Sequence, residues 1–369
     1  MIYDFYAEFQ IEKENLEKGK EEVYDLIYGI NKYAEIKDVY SRALLLITAY
    51  VGDKLDREAK EALKALIHSN RNYDIYIQRL LSELSLININ TSPDISCLVK
   101  GSWIVEFPIT LRKPYISKDD TPFYIIENPI RKDKTFPIPY ISSMAWKGNL
   151  RWTMIKTFLE PIKDKPEDFA NIRFRFTLLF GTEKGWISEE SWTKYLDEMC
   201  ENARELYRKK LTEKFANKLD KDFKDVSKIN IRGMLHFYPT FLDRIDMIVI
   251  NPHDRKTKTG RKPIHFEVVP KGAKGVFRLV YVPFHWIELK DDELIKKVVE
   301  DLDYVVRGLK EMMLTYGFSA KKSSGFGVIE SEWDRKQSRI EIHEFYEKQK
   351  FGSFNELEKI VERWKNEVM

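Results

Sequence analysis

The stretch Trp103–Leu111, WIVEFPITL, places large apolar residues at its odd positions and a more polar series at its even positions. A period of two is typical of a β-strand that buries one face against a core. Pro108 has no backbone N–H to donate to a neighbouring strand, so we predict that this strand lies at a sheet edge or contains a bulge. A β-rich domain therefore begins near residue 96.

The chain before this strand has helical periodicity instead. Apolar residues recur at helical spacing in Tyr40–Val51, Asp56–His68 and Tyr73–Leu86. Turn-forming residues at 90–94 end this part of the chain. We predict a helical module over residues 1–95. Its acidic balance and amphipathic runs suggest either that it docks on a neighbouring subunit or that it takes the place of a small helical subunit in a complex.

After the strand, the pattern predicts an α+β domain over residues 96–335, then a C-terminal strand and helix extension over residues 336–369. Ser142 or Ser143 can cap a helix that ends before Pro161. The longest predicted helix begins at Asp291 and ends at Gly317. Further strands are expected at 244–250, 264–269 and 275–282.

Composition excludes several classes of protein. Apolar residues make up 43% of the 369 residues, which is enough for a full core, so intrinsic disorder is excluded. No run approaches the roughly 18 apolar residues of a membrane helix, and we expect no membrane partner. The N-terminal sequence MIYDFYAEF lacks the positive charge of a signal peptide, so we expect a cytoplasmic protein.

The charge is unevenly distributed. The net charge is −5 over residues 1–95, +11 over 96–280 and −3 over 281–369. A basic middle between acidic ends is what a polyanion-binding surface would produce, although a set of solvated helix faces would give the same counts.

Signatures of common enzymes and metal sites are missing. There is no Walker loop, GxGxxG, HExxH or GxSxG motif, and the two cysteines form no CxxC pair. His253-Asp254 is a lone pair without the other ligands that a metal would need. We therefore predict no resident metal site.

The first candidate binding segment is Pro139–Trp152, PYISSMAWKGNLRW. Lys147 and Arg151 lie four residues apart near a predicted helix start, where free backbone N–H groups suit phosphate oxygens. Trp146 and Trp152 can stack on bases. The alternative, two core tryptophans and two solvated cations, stays open.

Two further basic segments are rich in turn residues. Gly317–Gly327 is a glycine-bounded loop in which Lys321 and Lys322 can neutralise a phosphate. Residues 251–262 separate two apolar strands, like the tip of a protruding hairpin. The cations of this tip are Arg255, Lys256, Lys258, Arg261 and Lys262.

Four stretches together resemble the CRISPR-associated RAMP superfamily. They are PYISSMAWKGNLRW at 139–152, LFG at 179–181, the segment 233–273 that ends in EVVPKGA, and AKKSSGFGVI at 320–329. Their order also matches that family, and the likeness covers roughly residues 100–330.

The resemblance implies a ferredoxin-like, RRM-related fold and an RNA-holding subunit of a type III effector complex in antiviral defence. Its partners would be guide RNA, target RNA and other effector subunits. Lys147 and Arg151 would contact the guide backbone, and the hairpin at 251–262 would be the thumb that enters the guide–target duplex.

The resemblance also singles out Glu127. In target-cutting members an Asp precedes an Asn-Pro-Val-Ile element, and Glu127 holds the matching position before Asn128-Pro129. A carboxylate there can orient the ribose 2′-hydroxyl or a Mg²⁺-bound water. A structural role, pairing with Arg131 or Lys132, is the alternative.

Two other functions stay open at this point. A stand-alone RAMP endoribonuclease would process precursor CRISPR RNA with His253 or Tyr140 as general acid or base. An assembly protein without direct RNA contact is the third interpretation, and the basic middle of the chain argues against it. Whether the chain is an enzyme is thus undecided by its sequence.

Overall fold

The computed structural model describes residues 4–51, 54–69, 72–117, 124–182, 191–215, 230–251 and 263–369. The helices are α1 Phe5–Glu8, α2 Leu16–Tyr28, α3 Val39–Tyr50, α4 Asp56–Lys64, α5 Asn72–Leu86, α6 Ser143–Met154, α7 Pro166–Phe180, α8 Ser191–Met199, α9 Ala203–Phe215, α10 Asp291–Glu311 and α11 Phe354–Val368. The strands are β1 Trp103–Thr110, β2 Tyr140–Ile141, β3 Leu235–Phe237, β4 Thr240–Phe241, β5 Asp246–Ile250, β6 Ile264–Val268, β7 Lys274–Tyr281, β8 Arg339–Ile342 and β9 Tyr346–Gln349. The protein is therefore a mixed helix and sheet structure, as predicted.

The predicted helices of the N-terminal part are present as α3, α4 and α5. Asp38 caps α3 by accepting a hydrogen bond from the Ser41 backbone N–H at 2.7 Å. Each of these helices buries its apolar stripe, including Leu46, Leu63 and Ile77. Their side chains join the same hydrophobic cluster as the sheet and α11. The division at residues 95 and 335 stays a prediction.

The main sheet has five antiparallel strands in the order β3-β7-β1-β8-β9. Odd-numbered residues of β1 face the large core, where Trp103 stacks on Tyr281 with ring centroids 5.0 Å apart. On the other face, Ile104 packs with Ile95 and Val280 in a smaller cluster. The period of two in the sequence is thus the period of burial.

β1 is a central strand, so the prediction of an edge strand or a bulge was wrong. Leu111, just beyond β1, bonds to residues on the β7 side: its N–H donates to Ala273 O at 2.9 Å. Odd residues therefore direct their backbone groups toward β7, and Pro108 directs its nitrogen the other way. There β8 pairs with β1 only as far as Glu106, so the missing N–H of Pro108 faces no ladder.

Helices α6 and α10 pack on each other over the large core. Gly308 of α10 allows this close approach, since a Cβ there would lie 2.5 Å from Met154 Cγ. α10 ends in a wider turn, Met312–Tyr316, and stops at Gly317, which has a φ of +76°. The predicted strands at 244–250, 264–269 and 275–282 are present as β5, β6 and β7.

The C-terminal helix α11 packs against α10. α11 is linked to α10 by ion pairs from Lys310 to Glu358 at 2.6 Å and from Lys365 to Asp303 at 2.9 Å. None of the described helices combines the length and the apolar character that crossing a membrane would require.

Candidate nucleic-acid interface

α6 presents a mixed cationic face at its first turns. Ser142 caps the helix, as predicted, by accepting a hydrogen bond from the Ala145 N–H at 3.2 Å. Met144, Lys147 and Arg151 follow at spacings of three and four, so they share a face. Met144 is 76% exposed, and both cations are half-buried. Burial lowers the pKa of Lys147, and the charge of Arg151 lowers it further.

The two tryptophans of this segment have different roles. Trp146 is fully buried, packs against Phe277 and Phe318, and donates from Nε1 to Thr240 Oγ1 at 3.0 Å. The prediction that Trp146 stacks on bases was therefore wrong, because tertiary packing hides its ring. Trp152 is half-buried at the surface, with the Lys322 ammonium 4.3 Å from its ring centroid.

The glycine-bounded loop after α10 is fixed by backbone hydrogen bonds. The N–H of Phe318 donates to Gly327 O at 3.0 Å, and the N–H of Gly327 donates to Pro114 O at 2.9 Å. Gly327 has a φ of +71°, and a Cβ there would lie 2.4 Å from Ser319 Cβ. Only glycine fits this position, so the loop has a single, tight form.

This loop lies against α6 and carries its two lysines to different neighbours. Asn149 Nδ2 donates to Phe318 O at 3.2 Å, which joins α6 to the loop. Lys321 is exposed and lies 5.0 Å from the ring of Phe266 in β6. Lys322 is half-buried beside Trp152, and burial lowers its pKa.

We use the name basic face for two pairs of cations, Lys147 and Arg151 on one side of α6 and Lys321 and Lys322 in the adjoining loop, which meets α6 at Asn149 and Trp152. No carboxylate of the described residues forms an ion pair with Lys147 or Lys322. Lys113 belongs beside them, because a Cβ on Gly325 would lie 3.3 Å from its Nζ. Our sequence reasoning missed Lys113, although the pair Arg112-Lys113 directly after β1 was a signal.

The basic hairpin is described only in its stem. β5 and β6 pair antiparallel from Asp246 opposite Val268 to Ile250 opposite Ile264, which confirms the two flanking strands. The tip lies outside the described residues, and with it Arg255, Lys256, Lys258, Arg261, Lys262 and His253. The role of these cations stays a prediction.

Lys132 does not pair with Glu127. Its Nζ lies 2.6 Å from Glu267 Oε2 in β6, and the two side chains are 5% and 0% exposed. Glu267 also accepts from the Ile130 N–H at 3.2 Å and from the Tyr124 hydroxyl. We call Lys132, Glu267 and Tyr124 the junction. It lies beside the N-terminal helices, since the Lys132 ammonium is 5.9 Å from the ring centroid of Tyr40 in α3.

Glu127 is exposed. The pKa of Lys60 in α4 is raised. Burial alone would lower it, but the hydrogen bond and charge of Asp56 raise it, and the charges of Tyr50 and Glu127 add smaller contributions. Among the described residues, no group of three His, Cys, Asp or Glu side chains could hold a metal ion. Tyr140, the other catalytic candidate, is half-buried in β2 against Phe241.

A model of the RAMP superfamily matches residues 101–330, which is more than half of the chain. The chain belongs to the RAMP superfamily. The RAMP region begins just before β1 and ends just after the glycine-bounded loop, so it contains the whole basic face. The N-terminal module and α11 lie outside it.

Solved CRISPR structures are similar to this RAMP protein at low identity. One chain of a Type III-B Cmr-beta complex bound to cognate target RNA has 13% identity, with 87% of this chain and 98% of that chain covered and a TM-score of 0.40. A chain of a Csm3-Csm4 subcomplex of the type III-A interference complex has 14% identity, coverage of 72% and 97%, and a TM-score of 0.33. No curated protein matches. The family assignment depends on the family model alone.

Proposed function

We propose that this RAMP protein binds guide RNA as a subunit of a cytoplasmic type III CRISPR effector complex in antiviral defence. Its partners would be the guide RNA, the target RNA and other effector subunits. The observation that carries the proposal is the state of Lys147 and Lys322. Both are half-buried, and neither has a carboxylate partner among the described residues.

A half-buried ammonium without a counter-charge is unfavourable in the free protein. The cost is offset when an anion arrives, because a phosphate restores the missing hydrogen bonds and charge. A continuous strand of RNA would supply one phosphate to α6 and another to the loop. Membership of the RAMP superfamily supports this choice of polyanion.

The proposal includes a ferredoxin-like core. With the elements inserted between them left aside, β1, α6, β3, β7, α10 and β8 occur along the chain in the order strand, helix, strand, strand, helix, strand. Within the sheet, β7 lies between β1 and β3, and β8 lies on the outer side of β1. This is the order of a split β-α-β arrangement, and it supports the RRM-related fold.

We propose binding rather than cutting of RNA. Among the described residues, which leave out 118–123, Glu127 belongs to no group of three His, Cys, Asp or Glu side chains that could hold a metal ion, and Mg²⁺ prefers several oxygen ligands in octahedral geometry. The described residues around Glu127 therefore do not supply a ligand set for a resident Mg²⁺.

The test is equilibrium binding of the full-length protein to single-stranded RNA of CRISPR-repeat sequence, across a salt series with and without Mg²⁺. We expect tight binding without cleavage. Lys147→Met and Lys322→Met should each weaken binding about tenfold, because each removes one charge-assisted phosphate contact. Each should also make the log–log salt slope about 0.7 less negative.

Lys156→Met is the matched control. Lys156 also lies near Trp152, but Glu160 neutralises it, and its removal should leave RNA affinity unchanged. Wild-type affinity in both basic-face variants would exclude the proposed contacts. Cleavage of the repeat at one position would favour the stand-alone endoribonuclease instead.

A further inference from the structure

Three aromatic rings beside the basic face already have contacts within the protein. Trp146 is fully buried under α6. The Lys322 ammonium lies 4.3 Å from the ring centroid of Trp152, and the Lys321 ammonium lies 5.0 Å from that of Phe266 in β6. A nucleobase that approaches the basic face would therefore have to displace a lysine from these rings or contact another apolar side chain.

Met144 is an apolar side chain that stands open beside these cations. It is 76% exposed in the first turn of α6. Lys147 and Arg151 follow three and seven residues later on the same side of the helix. A single exposed apolar residue needs no explanation on an ordinary surface. Met144 differs because its neighbour Lys147 is half-buried and has no carboxylate partner among the described residues.

The helix surface next to Met144 has room for a polynucleotide strand. Gly148 lies one residue beyond Lys147, and a Cβ at this position would meet no atom within 4 Å. The backbone of a strand can therefore approach the helix at Gly148 while its phosphates contact Lys147 and Arg151. Met144 is one helical turn away, about 5.4 Å along the axis, so a base of the same strand would lie beside it.

The chemistry of a methionine side chain suits such a contact. Its thioether is polarisable and unbranched, and it makes favourable contacts with aromatic rings. It offers no strong hydrogen-bonding group that would distinguish one base from another. The contact would therefore tolerate any sequence, as expected where the cations hold phosphates rather than base edges.

We propose that Met144 packs against a nucleobase of the single-stranded RNA at the basic face. The inference rests on the proposed function and adds to it a contact that carries no charge. The contacts of Met144 and Lys147 then differ in two measurable properties. The Met144 contact depends on the base and not on salt, whereas the Lys147 contact depends on salt and not on the base.

The test compares binding of the full-length protein to an oligoadenylate RNA and to an oligomer of equal length whose riboses carry no bases. Met144→Ala should weaken binding to oligoadenylate about fivefold. It should leave the log–log salt slope unchanged, because it removes no charge. Its binding to the abasic oligomer should equal that of the wild type.

Leu86→Ala is the matched control. Leu86 is 82% exposed in α5, outside the basic face, so its truncation should change the affinity for neither oligomer. Because Met144 is also exposed, Met144→Ala should keep the melting temperature of the wild type.

Wild-type affinity of Met144→Ala for oligoadenylate would overturn the inference. An equal loss of affinity for both oligomers would also overturn it, since the effect would then not come from a base. In either case Lys147→Met would still weaken binding to both oligomers if the proposed function is right. A wild-type protein that binds neither oligomer would overturn the proposed function and this inference together.

Discussion

Lys132 is buried and Lys147 is half-buried, but the surroundings of their two charges differ. Lys132 has a carboxylate at 2.6 Å and hydrogen-bonding neighbours around it. Lys147 has a second cation, Arg151, as its charged neighbour, and burial lowers its pKa. The first charge has its partner within the fold, whereas the second has no carboxylate partner among the described residues, and under the proposed function an anion would compensate it.

This difference separates structural from functional cations in one chain. The junction joins the loop at 124–132 to Glu267 in β6, one strand of the hairpin stem. Gln78 of α5 donates to Asp243 O, just before the other strand of the stem, at 3.3 Å. The basic face joins α6 to the glycine-bounded loop. The junction therefore contributes to stability, and under the proposed function the basic face would contribute to binding.

The largest effect should come from breaking the junction. Glu267→Gln keeps the shape of the side chain but leaves the buried Lys132 ammonium without a counter-charge. Breaking a buried pair in this way costs about 3–5 kcal/mol. We expect that loss in the free energy of unfolding measured by urea denaturation.

Glu61→Gln is the control for that measurement. Its ion pair with Arg57 at 2.9 Å is exposed, so its removal should hardly shift the urea midpoint. The double variant Lys132→Met, Glu267→Leu should recover most of the stability, because it removes both charges. A Glu267→Gln protein as stable as Glu61→Gln would show that the junction charges are hydrated.

Much of the fold could be predicted from local patterns. The period of two in β1, the apolar stripe of α10 and the Ser142 cap each depend on residues close in sequence, and each is present. The junction could not be predicted in this way, because Lys132 and Glu267 lie 135 positions apart. The prediction that Trp146 stacks on bases failed for the same reason, since the burial of its ring depends on Phe277 and Phe318, which are distant in sequence.

The candidate site was predictable in part. Spacing placed Lys147 with Arg151, and glycines marked the loop with Lys321 and Lys322. Spacing could not show which cations lack a carboxylate partner, because that depends on long-range packing. The prediction from Pro108 failed because a proline fits a central strand at a position where its nitrogen faces no paired neighbour, and residue type alone does not show that position.

A smaller effect is expected from pH, and it concerns Lys147. A phosphate favours the protonated amine, so RNA affinity should fall as rising pH deprotonates Lys147 in the free protein. Because its pKa is lowered, the fall should begin below the pH expected for an ordinary lysine of pKa about 10.4. We expect a loss of up to about tenfold for this contact.

Binding to an oligoadenylate RNA, whose bases do not ionise in alkali, is the appropriate measurement. Lys147→Arg is the control, because a guanidinium stays charged throughout this range. It should bind with less pH dependence than the wild type. Equal pH profiles for the two proteins would place Lys147 outside the RNA contact.

The smallest change in stability is expected from alanine substitutions at two helical glycines. These substitutions also separate an effect on stability from an effect on RNA binding most clearly. Gly308→Ala in α10 would bring a Cβ to 2.5 Å from Met154 Cγ, so it should destabilise the fold. Gly148→Ala in α6 meets no atom within 4 Å, and alanine should stabilise the helix by about 0.5–1 kcal/mol.

Gly148 lies between Lys147 and Arg151 on the exposed side of α6, where nothing in the free chain requires a glycine. A methyl group there would obstruct an RNA backbone that packs directly on the helix. Gly148→Ala should therefore raise the melting temperature and weaken RNA binding severalfold in the same protein. Unchanged affinity with raised stability would mean that RNA approaches α6 only through the tips of its cationic side chains, and the basic face would then act by charge rather than by shape.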